Sequence, residues 1–203
     1  MNMPEPSACP APADRSAEIL VSLRAAFAEK GFDGASMQDL ARAAGMSVGN
    51  FYRYFPSKDA IIAGMAAYDL AELQTDFTVI RQSADPLAMI RDNIRRRITD
   101  RCGQNGRLWA EITAAAQRKP EIAKISCGVE EVIGDNMVQL FAALTQSPPE
   151  AFRAAHGTTI RFIIMLVKSA AMRHVSHPDA EVEEMILQTI DDQIRSILSA
   201  PRA

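Results

Sequence analysis

The chain has 203 residues, 48% of them apolar, and a formal net charge of -3. That length holds one large domain or two small ones, and the apolar share excludes a disordered chain. So small a net charge excludes a global field that recruits nucleic acid, so any basic footprint is local; three cysteines without a C-x-x-C pair argue against zinc and against a disulfide framework.

Residues 1–13 read as a short proline-rich disordered tail, lacking the positive and apolar regions of a signal peptide. The longest strong apolar run, Phe162 to Val167, is too short to span a bilayer. A cytoplasmic protein without a membrane partner is expected.

From Asp14 onward the pattern is helical, punctuated by proline, glycine and capping residues. The first predicted helix carries Ile19, Leu20, Leu23, Ala26 and Phe27 on one face and ends at Lys30-Gly31. Ser36 caps a second, with Asp39 placed as in a capping box, and Gly45 follows its end. A third runs through Phe51 and Phe55 and stops before Pro56, because the residue ahead of a proline is pushed out of the α region. Ser57 caps a fourth, with Asp59 in its first turn and Ile61, Met65, Tyr68, Leu73 and Phe77 as its stripe.

The segment Gly45-Met46-Ser47-Val48-Gly49 matches the G-x-S-x-G of a nucleophile elbow. An elbow requires a strand before the serine. Helical residues stand there instead, so Ser47 reads as a helix cap and no catalytic residue is assigned. Two short helices joined by "AGMS" make a helix-turn-helix over about residues 36–55. Gly49 lets the backbone approach closely, Asn50 offers paired donor and acceptor groups to a base edge, and Tyr52, Arg53, Tyr54 and Lys58 suit phosphates. From Leu40 to Lys58 the cations are Arg42, Arg53 and Lys58, with no acid among them, whereas six basic residues balance six acidic ones over residues 14–60. Phe51 and Phe55, four apart, read as core.

The run "ILVSLRAAFAEKGFDGASMQDLARAAGMSVGNFYRYFPSKDAI" resembles the N-terminal domain of the TetR family of transcriptional regulators, above all its T-x-x-x-I-A-x-x-A-G-V-S-x-G-x-x-Y-x-Y-F-x-x-K signature. Met46 replaces the common valine and Phe51 the common leucine. The resemblance implies base contacts from Val48, Gly49 and Asn50 and phosphate contacts from Ser47, Tyr52, Tyr54 and Lys58. With Ser36, Arg42 and Arg53 these complete the candidate DNA-binding set. It divides the chain into a DNA-binding domain at 14–60 and a regulatory, ligand-binding and dimerisation domain at 61–203.

In that second part, Asp85-Pro86 opens a helix with Leu87, Ile90, Ile94 and Ile98 inward. Asn105-Gly106 precedes a shorter one holding Leu108, Trp109, Ile112 and Ala116, and Lys119-Pro120 opens another with Ile122, Ile125, Val129, Val132, Leu140 and Leu144 inward. Ser147-Pro148-Pro149-Glu150 reads as a capping box, and His177-Pro178-Asp179 separates the last two helices. The fold class is thus all-α, with about nine helices. The arginine-rich "RDNIRRRITDR" reads as a solvated face with pairs such as Asp92 and Arg96. His174 and His177 lack a third ligand, so no metal and no cofactor is assigned.

The helix containing "RFIIMLVKSAAM" is apolar nearly all round, and Val182, Met185, Ile186, Ile190, Ile194 and Ile197 face one way on the last helix. These two resemble the pair that forms the family's four-helix dimer interface, which implies a homodimer with Ile164, Val167, Ala171, Ile186, Ile190 and Ile194 at its contact. A pocket between the regulatory helices has Phe77, Met89, Trp109, Met137, Phe141 and Phe162 as candidate lining, fitting a small apolar or aromatic effector. The stretch "RLWAEITAAAQRKPEI" is similar to the family's sixth helix and is implied to link the pocket to the DNA-binding domain. The function expected is a ligand-responsive repressor that binds palindromic double-stranded operator DNA. The alternatives are a constitutive architectural DNA-binding dimer without effector and, requiring strands the pattern does not supply, a serine hydrolase using Ser47.

Overall fold

The computed structural model describes residues 15–99 and 104–199, so the expected tail at 1–13 lies outside the described residues. Among the described residues the elements are all helices: α1 (Arg15–Lys30), α2 (Met37–Ala43), α3 (Val48–Tyr54), α4 (Lys58–Gln82), α5 (Pro86–Ile98), α6 (Gln104–Ala116), α7 (Pro120–Thr145), α8 (Pro149–Ser176) and α9 (Ala180–Ser199). The caps explain most boundaries. The hydroxyls of Ser36, Ser47 and Ser57 and the carboxylate of Asp85 each accept from an amide three residues on, relieving one of the unpaired donors of a helix start.

Two hydrophobic cores are strung along α4. The first unites Leu23 and Phe27 of α1, Leu40, Phe51 and Phe55, then Ile61, Ile62 and Met65 of α4 with Leu108, Ala115 and Ile122 from α6 and α7. The second takes Leu73, Phe77 and Ile80 from the far half of α4 and packs them with Ile90, Ile94 and Ile98, Phe141, Phe152, Ile160, Ile190 and Ile194. α4 therefore joins one core to the other as one continuous helix.

Two readings of punctuation are corrected. Gly106 does not precede α6 but lies inside it, and a Cβ there would come within 2.3 Å of the Ala171 carbonyl oxygen and 2.7 Å of Val175. The glycine is present because α6 crosses α8 at backbone contact. Ser147 caps nothing: Pro148 holds the N-cap position, Pro149 begins α8, and the Ser147 hydroxyl instead accepts from Thr145 at 3.1 Å. Leu144 and Met185, expected inward, are exposed, the latter at 66%.

Candidate nucleic-acid interface

The turn between α2 and α3 is built by local rules. Gly45 adopts φ +64°, where a Cβ is strained, and the two amides that follow α2 return to it, Gly45 to the Arg42 carbonyl at 3.0 Å and Met46 to that of Ala41 at 2.9 Å. This is the Schellman pairing that closes a helix C-terminus. At the start of α2, Asp39 accepts from the Ser36 amide at 3.0 Å while Ser36 accepts from the Asp39 amide at 3.1 Å, a complete capping box. Lys30, adding a hydrogen bond at 2.7 Å, is the main reason the Asp39 carboxyl sits well below its ordinary range, with the Ser36 hydroxyl and amide next. That acid stays ionised, and its charge is offset by Lys30 beside the predicted DNA surface.

Across the turn, α3 is held from below and bare above. Phe51 is fully buried and its ring meets that of Phe55 at 5.6 Å, as the four-residue spacing predicts. Val48, Gly49, Asn50, Tyr52, Arg53 and Tyr54 all face solvent, the two tyrosines at 47% exposure. An added Cβ at Gly49 would meet nothing within 4 Å, so no packing inside the protein demands glycine there. A helical glycine costs about 0.5–1 kcal/mol relative to alanine. Ser36 and Arg42 are exposed on the adjoining α2 side.

Ser47 is flanked by α2 and α3, where an elbow needs a strand, and its hydroxyl accepts from the Asn50 amide at 3.4 Å. Lys58 departs from the simple phosphate reading. Its ammonium donates to the carbonyls of Phe32 at 2.8 Å and Asp33 at 3.1 Å and lies 5.2 Å above the Phe32 ring. Two of its three hydrogens are therefore engaged in holding the α1–α2 turn.

Sequence reasoning missed the groups that reach this turn from the far side. Glu111 of α6 accepts from the Phe32 amide at 2.7 Å, Arg118 pairs with Asp33 at 2.6 Å, and Lys119 pairs with Asp59 at 3.1 Å and stands 4.7 Å over the Phe32 ring. They lie 60 to 85 residues from their partners, beyond any periodicity.

The regulatory predictions fare unevenly. Phe77, Met89, Met137 and Phe141 meet in the second core, but Trp109 lies apart under Lys168, 5.7 Å from its ammonium. Phe162, also expected in the pocket, is 37% exposed on α8. Of the predicted dimer contacts, Ile164, Ile190 and Ile194 are instead buried within the protomer, because α8 and α9 turn their branched stripes onto α5 and α7. Val167 and Ile186 pack partly against the same core, and Ala171 offers its carbonyl to the Gly106 crossing.

The arginines of α5 are paired: Arg91 with Asp191, Arg95 with Glu184 at 3.2 Å, Arg96 with Asp92 at 3.1 Å and Arg97 with Asp76 at 3.1 Å. Burial alone would raise the Asp191 carboxyl, but the hydrogen bonds and charges of Arg195 and Arg91 outweigh it and hold it low. A cavity of about 350 Å³ opens between α5 and α9, floored by Ile94, Leu187, Ile190 and Ile194, and none of the six predicted effector residues lines it. His174 is hydrogen-bonded to Glu183 at 2.6 Å, and no cluster of three or more potential metal ligands occurs among the described residues. No helix among them is long and apolar enough to cross a membrane.

Residues 19–65 match the model of bacterial regulatory proteins, tetR family. Over 90 residues the chain is 38% identical to the HTH-type transcriptional regulator EthR of Mycolicibacterium smegmatis, a stretch covering 43% of this chain and 42% of that one. Over 59 residues it is 37% identical to the uncharacterized HTH-type transcriptional regulator YuxN of Bacillus subtilis, covering 29% of this chain and 20% of that one. The match thus spans less than half the length of either relative. Among solved structures, a transcriptional regulator from Rhodococcus sp. Rha1 superposes with a TM-score of 0.71 at 20% identity, over 92% of this chain and 99% of that chain. A TetR transcriptional regulator from Legionella pneumophila does so with a TM-score of 0.72 at 16% identity, over 89% and 97%. At such identities the likeness is one of fold, and it covers about nine tenths of the chain.

Proposed function

The chain belongs to the TetR family of bacterial regulatory proteins, and from that premise we propose that it is a ligand-responsive transcriptional repressor, binding a palindromic operator as a homodimer and released by a small apolar or aromatic effector. The DNA-binding unit is residues 14–60 and the regulatory unit 61–203. The observation that carries the reading is the exposed face of α3, where Val48, Gly49, Asn50, Tyr52, Arg53 and Tyr54 stand in solvent over a buried Phe51. A protein face with a glycine the packing does not need, an amide and two tyrosines is suited to a major groove, the asparagine reading an adenine edge and the hydroxyls holding phosphates.

Homodimerisation is supported by the outward surfaces of α8 and α9. Phe162, Met165 and Met185 are exposed at 37%, 54% and 66%. One turn or less away along the same helices stand Arg161 on α8 and Glu181 on α9, both exposed. A two-fold axis that lays α8 of one copy beside α9 of the other brings unlike charges together around a methionine-rich centre. Two recognition helices then present themselves to half-sites one DNA turn apart.

Selection of duplexes from a random pool by the full chain, followed by binding titrations at several salt concentrations, tests the reading. An enriched inverted repeat, bound with affinity that falls steeply as salt rises, is the expected result. Enrichment of no sequence at all overturns it, and enrichment with no compound able to release the duplex leaves the constitutive architectural dimer in its place.

A further inference from the structure

We propose that Glu111 is a positioning residue which fastens the α1–α2 turn to α6 and, through Lys58, fixes the recognition helix. The inference rests on α3 being the DNA-reading helix. It starts at the end of α1. Gly31, at φ +73°, donates to the Phe27 carbonyl at 2.9 Å, the single bond of an αL helix end. In the fuller Schellman end seen at α2, the next amide also returns to its own helix. Here the Phe32 amide goes to Glu111, 79 residues away, at 2.7 Å.

The turn residue is gripped from two sides. Phe32 is 2% exposed, and in the folded protein its amide relies on Glu111 for a partner. Its carbonyl accepts from Lys58, the first residue of α4, at 2.8 Å. Three residues back along the chain, Phe55 closes α3 and packs on Phe51. A carboxylate on α6 is thus connected to the recognition helix by a short chain: Glu111 to the Phe32 peptide, to Lys58, to the α3–α4 junction. Arg118 on Asp33 and Lys119 on Asp59 hold the same turn and the same start of α4, the first an exposed pair that salt screens and the second a part-buried one. Gly31 is required for the approach, since a Cβ would stand 3.2 Å from the Glu111 carboxylate as well as being strained by its φ.

The test is hydrogen–deuterium exchange of the full chain, wild type against Glu111→Ala and Glu111→Gln. Glutamine keeps an acceptor oxygen and is expected to hold protection near wild type. Alanine is expected to raise exchange by about tenfold in residues 31–36 and also in 47–55, leaving α7 to α9 unchanged. Combined with Lys58→Ala, its effect on 47–55 is expected to be far from additive, because both act through one turn. Unchanged protection of 47–55 overturns the proposal, as does a rise shared equally by all helices, which would make Glu111 an ordinary stabilising contact. On a duplex selected by the wild-type chain, Glu111→Ala is expected to bind about tenfold more weakly with the same salt slope. Should the wild type select no duplex, the functional reading fails on its own, and the exchange experiment still decides the role of Glu111.

Discussion

Single residues on the α2–α3 surface divide into those proposed to contact DNA and those that shape the surface they stand on. Asn50 is exposed and its side chain enters no hydrogen bond within the structure's described network, so Asn50→Ala is expected to relax sequence preference, costing about 1–3 kcal/mol on the preferred site and little on others. Competition titrations against single-base variants of a selected duplex check this. Lys58 differs, since its ammonium is engaged by Phe32 and Asp33. Lys58→Ala is expected to lower the melting temperature as well as DNA affinity, with a change in salt slope smaller than the ~0.9 of a full phosphate contact. Asp39 supplies a pH signature. Its carboxyl is held below the ordinary value of 3.8, by Lys30 first and Ser36 second. The native state then binds fewer protons than the unfolded chain below that value, so stability falls as pH drops through this range and is fully present above it. Thermal melts between pH 5 and pH 2.5 are expected to show a shallower acid loss for Asp39→Asn than for wild type.

At the scale of elements, the helix ends were legible from sequence because caps act within a few residues. Ser36, Ser47, Ser57 and Asp85 accept from the amides that their positions predict, and Gly45 closes α2. Gly106 was misread because a glycine looks the same whether it ends a helix or lets another helix approach. The two roles give opposite mutational outcomes. At an exposed helical site Gly→Ala stabilises by up to ~1 kcal/mol, whereas at Gly106 the new Cβ would meet the Ala171 carbonyl at 2.3 Å. Gly106→Ala is therefore expected to destabilise by about 1–3 kcal/mol, the usual cost of overpacking, measured by denaturant unfolding. A neutral or stabilising result would mean that α6 and α8 separate at no cost.

For the whole molecule, the decisive surface is the one left uncovered after folding. Met165→Asp places a charge at the centre of the proposed dimer contact, where it has no partner, and is expected to shift the chain to monomer in sedimentation at micromolar concentration. The protomer itself should keep its fold, because Met165 is 54% exposed. Ile190→Asp is expected to unfold the protomer instead, since that side chain is 2% exposed in the second core. On the proposed function, thermodynamic reciprocity requires that an apolar compound which weakens DNA binding by some factor itself binds more weakly by that factor when DNA is present. Trp109, the single tryptophan, stands beside Lys168 on the α6–α8 side and reports such titrations by fluorescence.

The sequence by itself determined the helices, their caps, the helix-turn-helix and the solvent-facing set on α3, all of which depend on neighbours within about one or two helical turns. It also determined that Ser47 is a cap, for the same local reason. Only the tertiary structure decided which apolar stripe of α8 and α9 goes inward, since Ile190 and Met185 belong to one amphipathic pattern and differ only in what the rest of the chain sets against them. It alone brought Glu111 to Phe32 and gave Lys58 its carbonyl partners. Those contacts join residues tens of positions apart, and no propensity or period encodes a pairing that exists only once two cores have been packed along one helix.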